Sequence, residues 1–378
     1  MQQPVKNDKK VEYLELIYDL IFVFVIGRNN SLLHITDGGF VSLGGFISYV
    51  VCTLAVIQIW NFTTYYINIF GRNGVREHIT LFLNMFLMYF IAEGTGSDWE
   101  YYYVQYHIAW ALILLNIGIQ YLIELRNHKG NADLSRQIKK MSLPLLLESA
   151  AVIIALCSYE LAGIEISWLA ILIGIFASLA VSNRKDHSMV DFPHLTERAM
   201  LYVVFTFGEM IISLSGYFDG AIGFNSLYFS AMGFLVVITL FLSYETLYDH
   251  IVDREQQNNG LGYMLIHIFL IFALNNITVA LEFMRKEEID LMPKMLFLIG
   301  SFLVYFLCIF LLGRYAKKRC MLNRKFITLM GISAAVFVGM MLIFREQMKL
   351  NILLTAVYGF AVFLIIHKFG RAQKEQTV

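Results

Sequence analysis

The chain has 378 residues, 58% hydrophobic and 15% charged, with 29 Lys plus Arg against 29 Asp plus Glu and a mean hydropathy of +0.62. Soluble domains carry about 25% charged residues, so the composition excludes an ordinary soluble enzyme, and zero net charge argues against nucleic acid as a partner. Apolar runs near the ~20 residues needed to cross a bilayer recur along the whole length. They predict an all-α integral membrane protein with a single polytopic domain over 1–378 and no soluble domain.

Cutting at charged or Gly/Asn-rich breaks gives twelve transmembrane spans, at 11–33, 40–69, 76–93, 101–125, 140–159, 163–182, 194–217, 226–249, 260–282, 293–313, 325–344 and 349–368. The first contains "EYLELIYDLIFVFVIG". Lysines precede it as in a signal peptide, but acids interrupt it and no small-residue cleavage site follows, so it reads as a retained helix. Glu12, Glu15 and Asp19 fall within about 60° of one another on one helical face. Glu12 and Glu15 are expected near the cytoplasmic end, where water relieves them. Asp19 lies deeper and needs a partner, with Arg198 or Arg28 as choices.

In the second span Trp60, Thr64 and Asn68 recur every four residues, which is one face. The fourth carries His107, Asn116 and Gln120, and the fifth carries Glu148. The seventh opens "DFPHLTERAMLYVVFTFGEMIISLSG", with His194, Glu197, Arg198 and Glu209. His194 and Arg198 are neighbours at i, i+4, and Arg198 and Glu209 share a face about 16 Å apart. The eighth ends with Glu245 and Asp249, again four apart, and the ninth has His267, Asn275, Asn276 and Glu282. The four prolines, Pro4, Pro144, Pro193 and Pro293, are each expected near a helix start. The four cysteines are isolated and suit neither a disulfide framework nor a metal site.

With both termini cytoplasmic, the inward-facing segments hold 23 of the 29 Lys and Arg residues. Twelve spans therefore satisfy the positive-inside rule. Two halves of six, 11–182 and 194–368, are one reading of that count, as parallel repeats with polar residues in the first two helices of each.

Ionisable side chains inside a bilayer cost roughly 2.5–3.5 kcal/mol each on insertion scales, which makes them the informative residues. The candidate ion or substrate site is Glu15, Asp19, Asn68, His194, Glu197, Arg198 and Glu209, with Trp60, Thr64, Glu245 and Asp249 as secondary candidates. No metal-binding, cofactor or catalytic motif is present. The partners expected are the lipid bilayer and a small solute or ion.

"LELIYDLIFVFVI" resembles the opening motif of the bacterial low-temperature-requirement A family, through Glu15, Asp19, Leu20, Phe22 and Val23. "HLTERAMLYVVFTFGEMII" resembles the family's second motif, through His194, Leu195, Glu197, Arg198, Gly208 and Glu209. Trp60, Thr64 and Asn68 are similar to its aromatic and polar second span. Arg28 and Asn29, and the acidic end of the eighth span, depart from the pattern. The resemblance implies a multi-pass protein of the bacterial plasma membrane linked to growth in the cold, and it supplies no substrate. Three functions stay open. One is a secondary transporter or permease coupled to a proton or cation by intramembrane carboxylates. The second is an intramembrane enzyme acting on a lipid or isoprenoid, with His194 and Glu197 in acid–base roles. The third is a non-catalytic protein whose acids are structural ion pairs.

Overall fold

A bilayer interior offers no water to backbone N–H and C=O groups, so an apolar chain crosses it as helices that bond internally. The computed structural model describes residues 9–34, 36–95, 99–181, 189–218, 223–286, 289–320 and 323–375. The charge-bias residues Lys6, Arg184 and Lys185 lie outside them, as does Pro4. Among the described residues there are twelve α-helices: α1 (Tyr13–Asn29), α2 (Leu43–Phe70), α3 (Val75–Glu93), α4 (Trp99–Asn127), α5 (Ala132–Ala162), α6 (Ser167–Val181), α7 (Phe192–Ser213), α8 (Phe224–Thr246), α9 (Leu261–Arg285), α10 (Leu291–Leu312), α11 (Arg324–Ile343) and α12 (Met348–Glu375). Eleven are long and apolar enough to cross a membrane. The other, α6, has 15 residues, about 22 Å of helix.

The largest departure from the expected boundaries is at α5, which begins eight residues before the predicted 140. Asn131 starts it by accepting the Leu134 N–H at 3.1 Å, and a polar turn then winds ahead of the apolar stretch. Pro144 is therefore buried well inside a helix, not near its start. Gly163 ends α5 at φ +65°, a left-handed conformation that glycine adopts without steric cost.

The chain forms two compact units. The first comprises Met1–Ile35, Val41–Tyr202 and Glu255–Met264, and the second Thr36–Phe40, Val203–Arg254 and Leu265–Val378. The division falls inside α7, between Tyr202 and Val203. Within the first unit α1 packs on α2 and α3, α3 on α4, α4 on α5, and α5 on α6, while α2 also meets α4 and α6. Within the second, α8 packs on α12, α12 on α11, and α11 on α10.

Helix polarity in the first unit is reversed from that of a soluble protein. On α3, Ile79, Phe82, Leu83 and Phe86 are exposed, whereas Thr80 and Asn84 are buried. Water would penalise that apolar face, and lipid does not. The inward polar groups are joined to each other. Asn116 of α4 donates to Asn84 Oδ1 at 2.7 Å, Asn84 of α3 donates to the Tyr18 hydroxyl at 3.3 Å, and Tyr18 of α1 lies 3.0 Å from Thr63 Oγ1 of α2. Tyr18 is thus the junction of a polar chain through four helices.

Removing that hydroxyl in Tyr18→Phe is expected to cost about 1 kcal/mol, the scale of interhelical hydrogen bonds in membranes. Thermal unfolding in detergent should show a lower midpoint, with helix content unchanged at low temperature.

Candidate functional site

The site begins with the way α7 starts. Asp191 precedes the helix and its Oδ1 accepts the His194 N–H at 3.2 Å, while Pro193 sits in the first turn, where no intrahelical N–H is needed. Asn68, in the last turn of α2, grips the same residue: its Oδ1 accepts the Asp191 N–H at 3.0 Å and its Nδ2 donates to the Asp191 carbonyl at 2.8 Å. The C-terminal end of α2 is held in turn by Lys9, whose ammonium donates to the Ile67 carbonyl and, at 3.0 Å, to the Gly71 carbonyl. A cation there also suits the negative end of the helix dipole. Burial lowers the Lys9 pKa below the usual lysine value, and the charge of Glu15 opposes that shift.

Three helices then present stripes of residues one turn apart. Helix α1 offers Glu15 and Asp19, α7 offers His194 and Arg198, and α2 offers Trp60, Thr64 and Asn68. Arg198 Nη1 donates to Glu15 Oε2 at 2.9 Å, and Nη2 donates to Asp19 Oδ1. Trp60 Nε1 donates to the same Asp19 oxygen at 2.8 Å. His194 Nε2 lies 3.4 Å from Glu15 Oε2, and His194 Nδ1 lies 3.0 Å from Asn68 Nδ2. The other carboxylate oxygen of Glu15 accepts the Glu12 backbone N–H at 3.4 Å, at the first turn of its own helix. Tyr202, one turn beyond Arg198, packs its ring on Trp60 with centroids 4.4 Å apart.

The tautomer of His194 follows from this geometry. The bonds to Asp191 fix which end of the Asn68 amide is nitrogen. That nitrogen is a donor only, so His194 Nδ1 accepts and the ring proton of the neutral imidazole sits on Nε2, facing Glu15.

The ion pairing is unequal. Glu15, Asp19 and Arg198 are all fully buried, and a guanidinium stays charged in a protein. Two carboxylates thus share one ion-paired guanidinium, while the neighbouring Lys9 ammonium is held on the carbonyls at the end of α2. Hydrogen bonding is also incomplete: Asp19 Oδ2, Thr64 Oγ1, Arg198 Nε and His194 Nε2 are buried and close no hydrogen bond of good geometry. Among the described residues no group of three or more His, Cys, Asp or Glu side chains is arranged to hold a metal ion.

Six sequence candidates come together: Glu15, Asp19, Asn68, His194, Arg198 and Trp60, with Thr64 buried on the same stripe. Asp19 takes Arg198 as its partner, while Arg28 is exposed. Glu15 is not interfacial as expected. The turn of α7 carrying His194 and Arg198 covers it. His194 is likewise sealed from the surface. Glu197 is half-buried and has no hydrogen-bond or ion-pair partner among the described residues. The same is true of Glu209, three turns along α7 from Arg198. Glu245 and Asp249 are exposed in the second unit and do not line an interior. Sequence reasoning missed Asp191, Lys9 and Tyr202. The pattern Asp-Phe-Pro ahead of an apolar run is a helix-start signature that identifies Asp191.

A model of the family described as bacterial low temperature requirement A protein (LtrA) matches residues 10–365, nearly the whole chain. No curated protein matches it. Both sequence motifs, and every residue of the buried site except Lys9, which lies just before it, fall within the matched span.

Removing only the cation should be far worse than removing all the charge. Arg198→Met is expected to destabilise by about 3–5 kcal/mol, because two carboxylates are left buried and uncompensated. Adding Glu15→Gln and Asp19→Asn should restore most of that loss in a detergent melting assay. A triple variant no more stable than the single one would contradict the pairing.

Proposed function

The chain belongs to the bacterial low-temperature-requirement A family, and from that premise we propose that it is a secondary transporter. Its solute would move with a proton or cation bound at the Glu15–Asp19–Arg198–His194 site. The observation that supports this reading is the unequal pairing: two buried carboxylates meet one guanidinium, with an imidazole 3.4 Å from the nearer acid.

A proton or a monovalent cation taken up by the cluster reduces its carboxylate charge. Neutralisation weakens the hold of Arg198 on α1, so occupancy of the site and the packing of α1 against α7 become one equilibrium. A ligand that binds two packings unequally shifts the population between them, and alternating exposure of a solute requires such a shift. Glu209, half-buried and without a partner among the described residues, is a second coupling position in this scheme. The plasma membrane as location, cytoplasmic termini and support of growth in the cold belong to the same proposal.

The test uses purified protein in liposomes with a trapped pH dye and an imposed potential, screened against a panel of solutes. Wild-type protein is expected to admit protons in a solute-dependent way. Glu15→Gln and Asp19→Asn should slow entry by about tenfold or more, equivalent to roughly 1.4 kcal/mol on the barrier. Variants that carry protons at the wild-type rate would remove this site from the mechanism.

A further inference from the structure

A second intramembrane carboxyl lies in the first unit and plays no part in the site above. Glu148 of α5 is fully buried. Gln58 of α2 donates its Nε2 to Glu148 Oε2 at 2.6 Å. Helix α6 closes the third side with its backbone: a Cβ on Gly174 would collide with both Gln58 Nε2 and Glu148 Oε2. Trp110 of α4 is the remaining polar neighbour.

No Lys, Arg or His among the described residues forms an ion pair with Glu148. The contrast with Glu15 and Asp19 is sharp, since those acids are buried to the same degree but touch a guanidinium. An isolated carboxylate in a low-dielectric interior is so costly that the group takes up a proton instead. The hydrogen-bond inventory agrees. Glu148 Oε1 and Gln58 Oε1 are both acceptors without a donor, and the Trp110 indole N–H closes no bond of good geometry. A carboxylate leaves Gln58 Oε1 without a donor, whereas a carboxylic acid can give it an O–H.

We infer that Glu148 is a proton-binding site, occupied at neutral pH, in which a neutral glutamic acid pairs with the Gln58 amide and joins α2, α5 and α6. The inference stands apart from the transport proposal, because it follows from the side chains around α5 alone. It also gives α2 two different roles. Gln58 and Trp60 are two residues apart and point about 200° from each other, so one side of the helix serves a neutral acid and the other a charged cluster. Release of the Glu148 proton would leave an uncompensated charge among three helices, so proton binding here holds their packing together.

Infrared spectroscopy of the whole purified protein in lipid tests this directly. At neutral pH the wild type is expected to show the carbonyl stretch of a protonated carboxylic acid, and Glu148→Gln should lose it. The glutamine keeps volume and neutrality, so the variant should melt near the wild-type temperature, while Gly174→Ala should melt lower. Superimposable wild-type and Glu148→Gln spectra in this region would overturn the assignment. If the glutamine variant cannot be purified, glutamate labelled with ¹³C at the side-chain carboxyl, incorporated into protein carrying both Glu15→Gln and Glu209→Gln, reads the same band with Glu148 intact. An isotope-shifted protonated-acid band supports the inference, and its absence refutes it.

Discussion

A guanidinium enclosed by protein inside a bilayer must be matched by opposite charge, because it neither loses its proton nor reaches water. Arg198 is fully buried on α7, and the rest of the first unit is arranged around that demand. Helix α1 supplies both carboxylates and so must lie against the first turns of α7. Helix α2 cannot supply charge, but it orients the charged groups through Trp60 on Asp19 and Asn68 on His194 and Asp191. The ends of both elements are secured by the same contacts, so register and electrostatics are settled together. Buried ion pairs add little net stability compared with apolar packing, yet a mispaired one is severely penalised. That asymmetry selects one helix arrangement over its neighbours.

The helical membrane class was legible from hydropathy alone, because the bilayer imposes the same requirement on every span. The members of the site were legible because intramembrane charge is expensive enough to be informative one residue at a time. Asp19 was correctly read as needing a partner, and Arg198 is that partner. What sequence could not give was which depth counts as buried. Glu15 sits only two residues into α1 and looked solvated, but α7 covers it from 183 residues away in the chain. Helical periodicity places residues on a face and says nothing about what lies opposite. Glu209 shows the limit of that periodicity. It shares a face with Arg198 at a distance of three turns, and no side chain reaches across that distance. The extended start of α5 was missed because its first turns are polar, and hydropathy does not see a helix that winds beyond the apolar stretch.

Glu148 and the Arg198 cluster are two answers to the same physical problem. One acid is accommodated by charge pairing, the other by an amide and a close backbone approach at Gly174. Both rely on α2, whose buried residues are drawn from nearly all around its circumference. A helix enclosed in this way can be polar on two sides while its flanks remain apolar, which explains why its own sequence shows no single amphipathic stripe.

The 183 residues between Glu15 and Arg198 also have a meaning in time. At about 5–20 residues per second of synthesis, α1 leaves the ribosome roughly ten to forty seconds before its counter-charge is made. During that interval Arg198 is not there for Glu15 and Asp19 to meet. The ion pair cannot form before α7 has been made, so it belongs to the later steps of the first unit's assembly.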